Sequence, residues 1–194
     1  MTNLSEFEFR TQPWFEQSEI QGFVRGAIPM KTIVVYCFDP RAAEIPEAVA
    51  EHFGDEVYPG EDVLDEAGNR IGSTRTLFAV SNAGGRAVSA LQSITTMAYL
   101  FDVRNVIVVH HSFCGVTSFT PEVLICEFRD RHRADISTLY DRDSLSITHF
   151  EESLRYDVEL LRSSPGVPKH VRLYGFFYDI NARKLTEVVR DIPA

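Results

Sequence analysis

Cys37, Asp39 and Arg41 sit at alternate positions in "YCFDPRAAE", directly after the apolar run "TIVVY". A thiol, a carboxylate and a guanidinium at period two share one face of an extended chain. Further on, "VIVVHHSFCG" places His110, His111 and Cys114 behind another apolar run. Two thiolates and one imidazole form a soft donor set suited to Zn²⁺, and His-x-x-Cys lets one turn deliver two ligands to the same ion. Cys37, His111 and Cys114 are therefore the expected metal ligands. Three protein ligands leave the fourth position to water or another side chain, as in a catalytic zinc site. Asp39 is close enough to Cys37 to be that side chain, or to hydrogen-bond the bound water. Arg41 can hold the Asp39 carboxylate in a bidentate pair. His110 has the poorer spacing and is expected to be a hydrogen-bonded structural residue. Cys126 is expected to be a buried thiol acting as a small hydrophobe.

These residues need strands to end side by side. "KTIVVYCF", "TLFAVSN" and "RNVIVVHH" are short, β-branched apolar runs that read as strands buried on both faces of a parallel sheet. In such sheets functional groups collect beyond the carboxyl ends of the strands. The ends are Cys37 to Arg41, Ser81 to Gly84, and His110 to Cys114. Helical spacing follows each strand: Ile45, Val49 and Phe53 before Gly54, then Val88, Leu91, Ile94, Ala98 and Phe101. A helix is expected after Pro121, and another from a Thr148–Glu151 capping box through Phe150, Leu154, Val158 and Leu161, stopping before Pro165. "HVRLYGFFYDI" reads as a fourth strand and "NARKLTEVV" as a fifth that turns back. Residues 55–75, rich in Gly, Asp and Glu, read as an exposed excursion or a small hairpin. The aromatics Phe7, Phe9, Trp14 and Phe15 precede any clear strand and are expected to pack on the body or on a second subunit. The expected fold is α/β, a central mainly parallel sheet flanked by helices with a C-terminal hairpin strand.

Composition narrows the classes. The 194 residues fit one domain, 1–194, with residues 1–30 as an N-terminal arm. A net charge of −9 argues against nucleic acid or an anionic membrane as partner, since both recruit basic patches. No apolar run approaches the roughly 18 residues of a membrane span. "MTNLSEFEFR" lacks the features of a secretory signal. Three widely spaced cysteines make a poor disulfide framework, so a cytoplasmic, reducing location is expected.

"CFDPR" and "HSFC", with "NAGG" between them, resemble the motifs of the β-class carbonic anhydrases. The likeness continues through "SLRYDVELLRSSPGVPKHVRLYGFFYDINARKL" and covers about residues 31–189. The resemblance implies one Zn²⁺ per chain, held by Cys37, His111 and Cys114, with Asp39 and Arg41 as a gating dyad. It also implies a zinc-bound hydroxide that attacks CO₂ to make bicarbonate, in a cleft of a homodimer or higher even oligomer. In some members the equivalent of Asp39 closes onto zinc.

Departures from the family pattern bear on substrate. Ser81 stands where many members have Arg, Ser112-Phe113 fill the His-x-x-Cys interior, and no glutamine precedes Cys37 in "GAIPMKTIVVY". Ser81, Asn82, Ala83, Gly84 and Phe113 are the expected substrate-contacting residues. Fewer donors and an added aromatic would weaken binding of a buried anion more than that of a neutral linear molecule. Family base rate favours CO₂ hydration, and the departures favour the alternative, hydrolysis of carbonyl sulfide to H₂S and CO₂. A second alternative is a non-catalytic zinc or redox-sensing protein.

Overall fold

The structure, a computed structural model, describes residues 3–193, so Met1, Thr2 and Ala194 at the ends of the expected domain lie outside it. Helix α1 (Ile20–Ala27) leads into strand β1 (Thr32–Cys37) and helix α2 (Ile45–Phe53). A small antiparallel hairpin, β2 (Asp62–Leu64) and β3 (Arg70–Ser73), precedes β4 (Leu77–Asn82), α3 (Ala87–Leu100) and β5 (Asn105–His111). Helices α4 (Pro121–His132) and α5 (Phe150–Ser163) follow, and β6 (Arg172–Asp179) and β7 (Lys184–Asp191) close the chain.

Five strands form one sheet in the order β4-β1-β5-β6-β7, parallel except for β7, which runs antiparallel to β6. Crossovers place helices on both faces, which is why the central strands are apolar without alternation. Ile33, Val35, Val106, Val108 and Leu173 pack against Ala87, Ala90 and Ile94 of α3 and Leu154, Val158 and Leu161 of α5. On the opposite face Val34, Ile107, Val109, Tyr174, Phe176 and Tyr178 pack against Ile45, Val49 and Ala50 of α2. In register, Cys37 pairs with Asn82 of β4, and Tyr36 with Val109 of β5, so the expected strand ends converge at one edge.

Two expectations are corrected, and one helix is added. Helix α5 begins at Phe150 with His149 as N-cap and no side-chain cap bond, so Thr148 and Glu151 do not form a capping box; Glu151 pairs with Arg155 instead. Cys126 is exposed rather than buried, because α4 turns no fully buried residue toward the body. The segment before β1 carries a helix that its pattern hid. Gly22 and Gly26 are poor helix formers, and packing on α3 and β3 overrides that preference. Its Phe23 stacks with Trp14 and Phe9 at ring separations of 4.8 and 5.9 Å, and all three rings are about half exposed. Residues 62–73 form the small exposed hairpin.

Candidate metal centre

Cys37 ends β1, His111 ends the neighbouring strand β5, and Cys114 lies in the turn after it. All three are buried, and one ligand atom from each lies within 4.8 Å of the others. Adjacent histidines on β5 point to opposite faces. His110 turns toward α5, where its Nε2 lies 3.0 Å from Ser153 Oγ, and His111 turns to the cysteines. His111 Nδ1 bonds the Ser112 carbonyl at 2.9 Å, leaving a buried Nε2 with no hydrogen-bond partner among the described residues. An imidazole oriented through one nitrogen with the other free is the arrangement of a metal ligand. The Cys37 and Cys114 sulfurs are 3.7 Å apart. Two thiolates at about 2.3 Å from a tetrahedral zinc would be about 3.8 Å apart, so the donor set fits that ion.

Electrostatics favour a thiolate here. The hydrogen bond from the Cys114 thiol pulls the Cys37 pKa down to about 4 against the effect of burial. His111 and the backbone amides of Asp39 and Gly84 lower it further. Cys114 is pushed up by the neighbouring Cys37 sulfur and by burial, so the pair shares one proton. Burial opposes a charge on His111, but the Cys37 sulfur and the Ser112 carbonyl outweigh it and raise the pKa. His110 is pulled down to about 3 by burial and by the Arg86 guanidinium, and stays neutral.

Asp39 begins a single helical turn, Pro40–Ala42, and its carboxylate accepts the Arg41 backbone N–H at 3.0 Å. Arg41 Nε and Nη2 donate to its two oxygens at 3.0 and 2.6 Å, and Nη2 also donates to the Phe113 carbonyl at 3.0 Å. Hydrogen bonds from Arg41 hold Asp39 well below the usual carboxylate range, so it is an acceptor only. The fork thereby links the end of β1 to the turn after β5. Phe113, between His111 and Cys114 in the chain, adopts φ +56° and is 67% exposed. Ser112 anchors that turn, donating its N–H to the Tyr178 carbonyl and accepting the Ile180 N–H.

The β4 end divides its expected roles. Gly84 is buried in the turn, and its backbone amide is among the groups that lower the Cys37 pKa. Asn82 spends its side-chain amide on the turn, accepting the Arg86 N–H at 2.8 Å and donating to the Arg86 carbonyl at 3.0 Å. Ser81 is the register partner of Tyr36, and both Ser81 and Ala83 are exposed. Arg86 and Asp157, which the motif reading passed over, form a bidentate ion pair, 2% and 0% exposed. A lone Arg after "NAGG" and a lone Asp in an amphipathic helix carry no pairing signal in the sequence.

No family model matches the chain. It is 27% identical over 125 residues to a carbon disulfide hydrolase from an Acidianus species, covering 54% of this chain and 61% of that one. It is 26% identical over 98 residues to β-carbonic anhydrase 1 of Mycobacterium bovis, covering 50% of this chain and 58% of that one. The matched stretches thus span about three fifths of these relatives' lengths. Among solved structures, the carbonic anhydrase of Streptococcus mutans superposes with a TM-score of 0.60 at 26% identity, covering 81% of each chain. The chain is similar in sequence to β-carbonic anhydrases and carbon disulfide hydrolases, and it shares their fold. Among the described residues no helix is long and apolar enough to cross a membrane.

Proposed function

We propose, from a chain similar to both β-carbonic anhydrases and carbon disulfide hydrolases, a zinc enzyme that adds water to a small, neutral, linear triatomic molecule. The observation that carries this reading is the Cys37–His111–Cys114 cluster with the Asp39–Arg41 fork tied to its turn. A zinc ion held by those three residues would supply Lewis acidity that activates water near neutral pH. Asp39, ionised and acceptor-only, would take the hydrogen bond of that water and aim its lone pair. Arg41 keeps Asp39 charged and in place, and its bond to the Phe113 carbonyl sets the distance between dyad and turn. A merely structural zinc has no use for such a fork.

Carbonyl sulfide is the substrate we favour: COS and water give H₂S and CO₂. The partnered donors of Arg41 go to Asp39 and Phe113, and Ser81 offers no positive charge, so little is left to hold a bicarbonate anion. The exposed Phe113 ring adds apolar surface suited to a neutral, polarizable molecule. The likeness to carbon disulfide hydrolases, whose named substrate is also a sulfur compound, agrees with this choice. CO₂ hydration is the second reading, supported by the likeness to β-carbonic anhydrases. We place one zinc on each single-domain chain and pair two chains through the aromatic N-terminal face.

One zinc-loaded preparation, assayed for sulfide release from carbonyl sulfide and carbon disulfide and for CO₂ hydration by stopped flow, tests both readings. A higher kcat/KM for carbonyl sulfide than for CO₂ is expected. Rapid CO₂ hydration without sulfide release would overturn the substrate choice. Bound zinc with no turnover of any of the three would leave the non-catalytic protein.

A further inference from the structure

We propose that Arg86 and Asp157 are positioning residues of the metal centre, a buried fork that holds the Asn82–Arg86 turn against the end of β1. The inference rests on the metal reading above, but not on the choice of substrate. Arg86 Nε and Nη2 donate to Asp157 Oδ2 and Oδ1 at 3.0 and 3.3 Å, and Nη1 donates to the Ser146 and Asp143 carbonyls at 2.7 and 3.2 Å. One side chain therefore ties the start of α3 to α5 and to the segment before α5. Its own backbone N–H and carbonyl clasp the Asn82 amide, closing the turn at both ends.

At the head of that closed turn the Asn82 carbonyl accepts the N–H of Phe38, next in sequence to Cys37, at 3.1 Å. Gly85 lies so close to β1 that a Cβ there would sit 2.9 Å from the Tyr36 backbone. Any slackening of the turn would therefore shift the end of β1 that carries Cys37. The same carboxylate also reaches the other ligand strand: Asp157 Oδ2 is 3.6 Å from His110 Nε2, next in sequence to His111. A buried ion pair is weak ground for stability, since well-packed apolar residues often replace one at no loss. Its geometry makes better sense as a means of orienting the groups around a ligand.

Arg86→Lys keeps the charge and loses the fork, and Asp157→Asn keeps the shape and loses the charge. Zinc affinity, by chelator competition, is expected to fall about 10–100-fold in each, the usual cost of losing a partner behind a metal ligand. The thiolate-to-cobalt absorption of the cobalt-loaded protein is expected to shift. Val158→Ala, which loosens the same helix without touching the fork, should lower the melting temperature and leave both readouts unchanged. Zinc affinity within twofold and an unaltered cobalt spectrum in either folded fork variant would overturn the proposal. Should neither variant fold, hydrogen exchange of the unsubstituted protein decides. The Arg86 amide, bonded to Asn82 Oδ1, is expected to exchange more slowly with zinc bound, and equal protection with and without the metal would overturn the proposal. None of these readouts needs turnover, so a failed substrate assay leaves this test intact.

Discussion

Gly85→Ala is the substitution whose cost the geometry best defines. Gly85 has φ +66°, in the left-handed region, where an L-residue costs roughly 1–2 kcal/mol. A Cβ there would also meet the Val109 carbonyl oxygen at 2.7 Å and the Tyr36 Cα and carbonyl carbon at 2.9 Å. Those atoms are strand backbone and cannot rotate away, so overpacking adds about 1–3 kcal/mol. Gly54, at the end of α2, supplies the control: φ is +68°, but nothing lies within 4 Å of its Cβ position. Both alanines narrow the unfolded ensemble equally. The difference between the two variants therefore isolates the clash, about 1–3 kcal/mol. In a chain of this size that corresponds to roughly 2–12 °C in melting temperature. Urea unfolding of the metal-free proteins measures it directly. Tyr36 and Val109 belong to the strands that end in Cys37 and His111, so Gly85→Ala should also weaken zinc binding while Gly54→Ala should not. Equal stability losses in the two variants, or equal zinc affinity, would refute the claim that this turn is wedged between the ligand strands.

Above the raised His111 pKa, zinc binding should release about one proton per chain, because Cys37 is already ionised while Cys114 keeps its proton. As pH falls through the raised His111 pKa, the imidazolium proton must leave too, so release climbs toward two and affinity drops. Calorimetry in buffers of different ionisation enthalpy checks the count, and no release above the His111 pKa would contradict the shared proton. Asp39→Asn should retain zinc and cut turnover about 100-fold, in the range of lost proton-handling groups. Loss of zinc from that variant would instead make Asp39 a ligand. The Asp39–Arg41 pair depresses the carboxyl pKa, so its contribution to stability is present above about pH 4 and is lost as pH falls through the folded value. Phe113→Asn keeps a residue tolerant of positive φ and removes the ring. It should lower kcat/KM for carbonyl sulfide about tenfold, equal to about 1.4 kcal/mol, and CO₂ hydration less. Sedimentation should give a dimer at micromolar concentration, and Trp14→Ser should shift it toward monomer; a monomeric unsubstituted protein would argue against pairing through the aromatic face.

Much of the fold was legible because its signals are local. β-branched runs, helical spacing and the stops at Gly54 and Pro165 act within a few residues, and they place β1, β4, β5, α2 and α3 correctly. Helix α1 escaped because its stability comes from contacts with α3 and β3, and the start of α5 slipped because tertiary packing replaced the expected cap. Exposure of Cys126 was equally invisible, since burial depends on what a helix faces.

By itself the sequence determined the types of the candidate donors and the order in which strands deliver them. A thiol, carboxylate and guanidinium at period two and a His-x-x-Cys turn depend only on spacing and backbone geometry. Only the tertiary structure decided how the groups are used. Strand alternation sends His110 to Ser153 and His111 to the two cysteines, while Arg41 reaches across 72 residues to the Phe113 carbonyl. Arg86 and Asp157, 71 residues apart, meet in a buried fork. Such pairings are set by which chain segments the core packs side by side, and local periodicity carries no record of that.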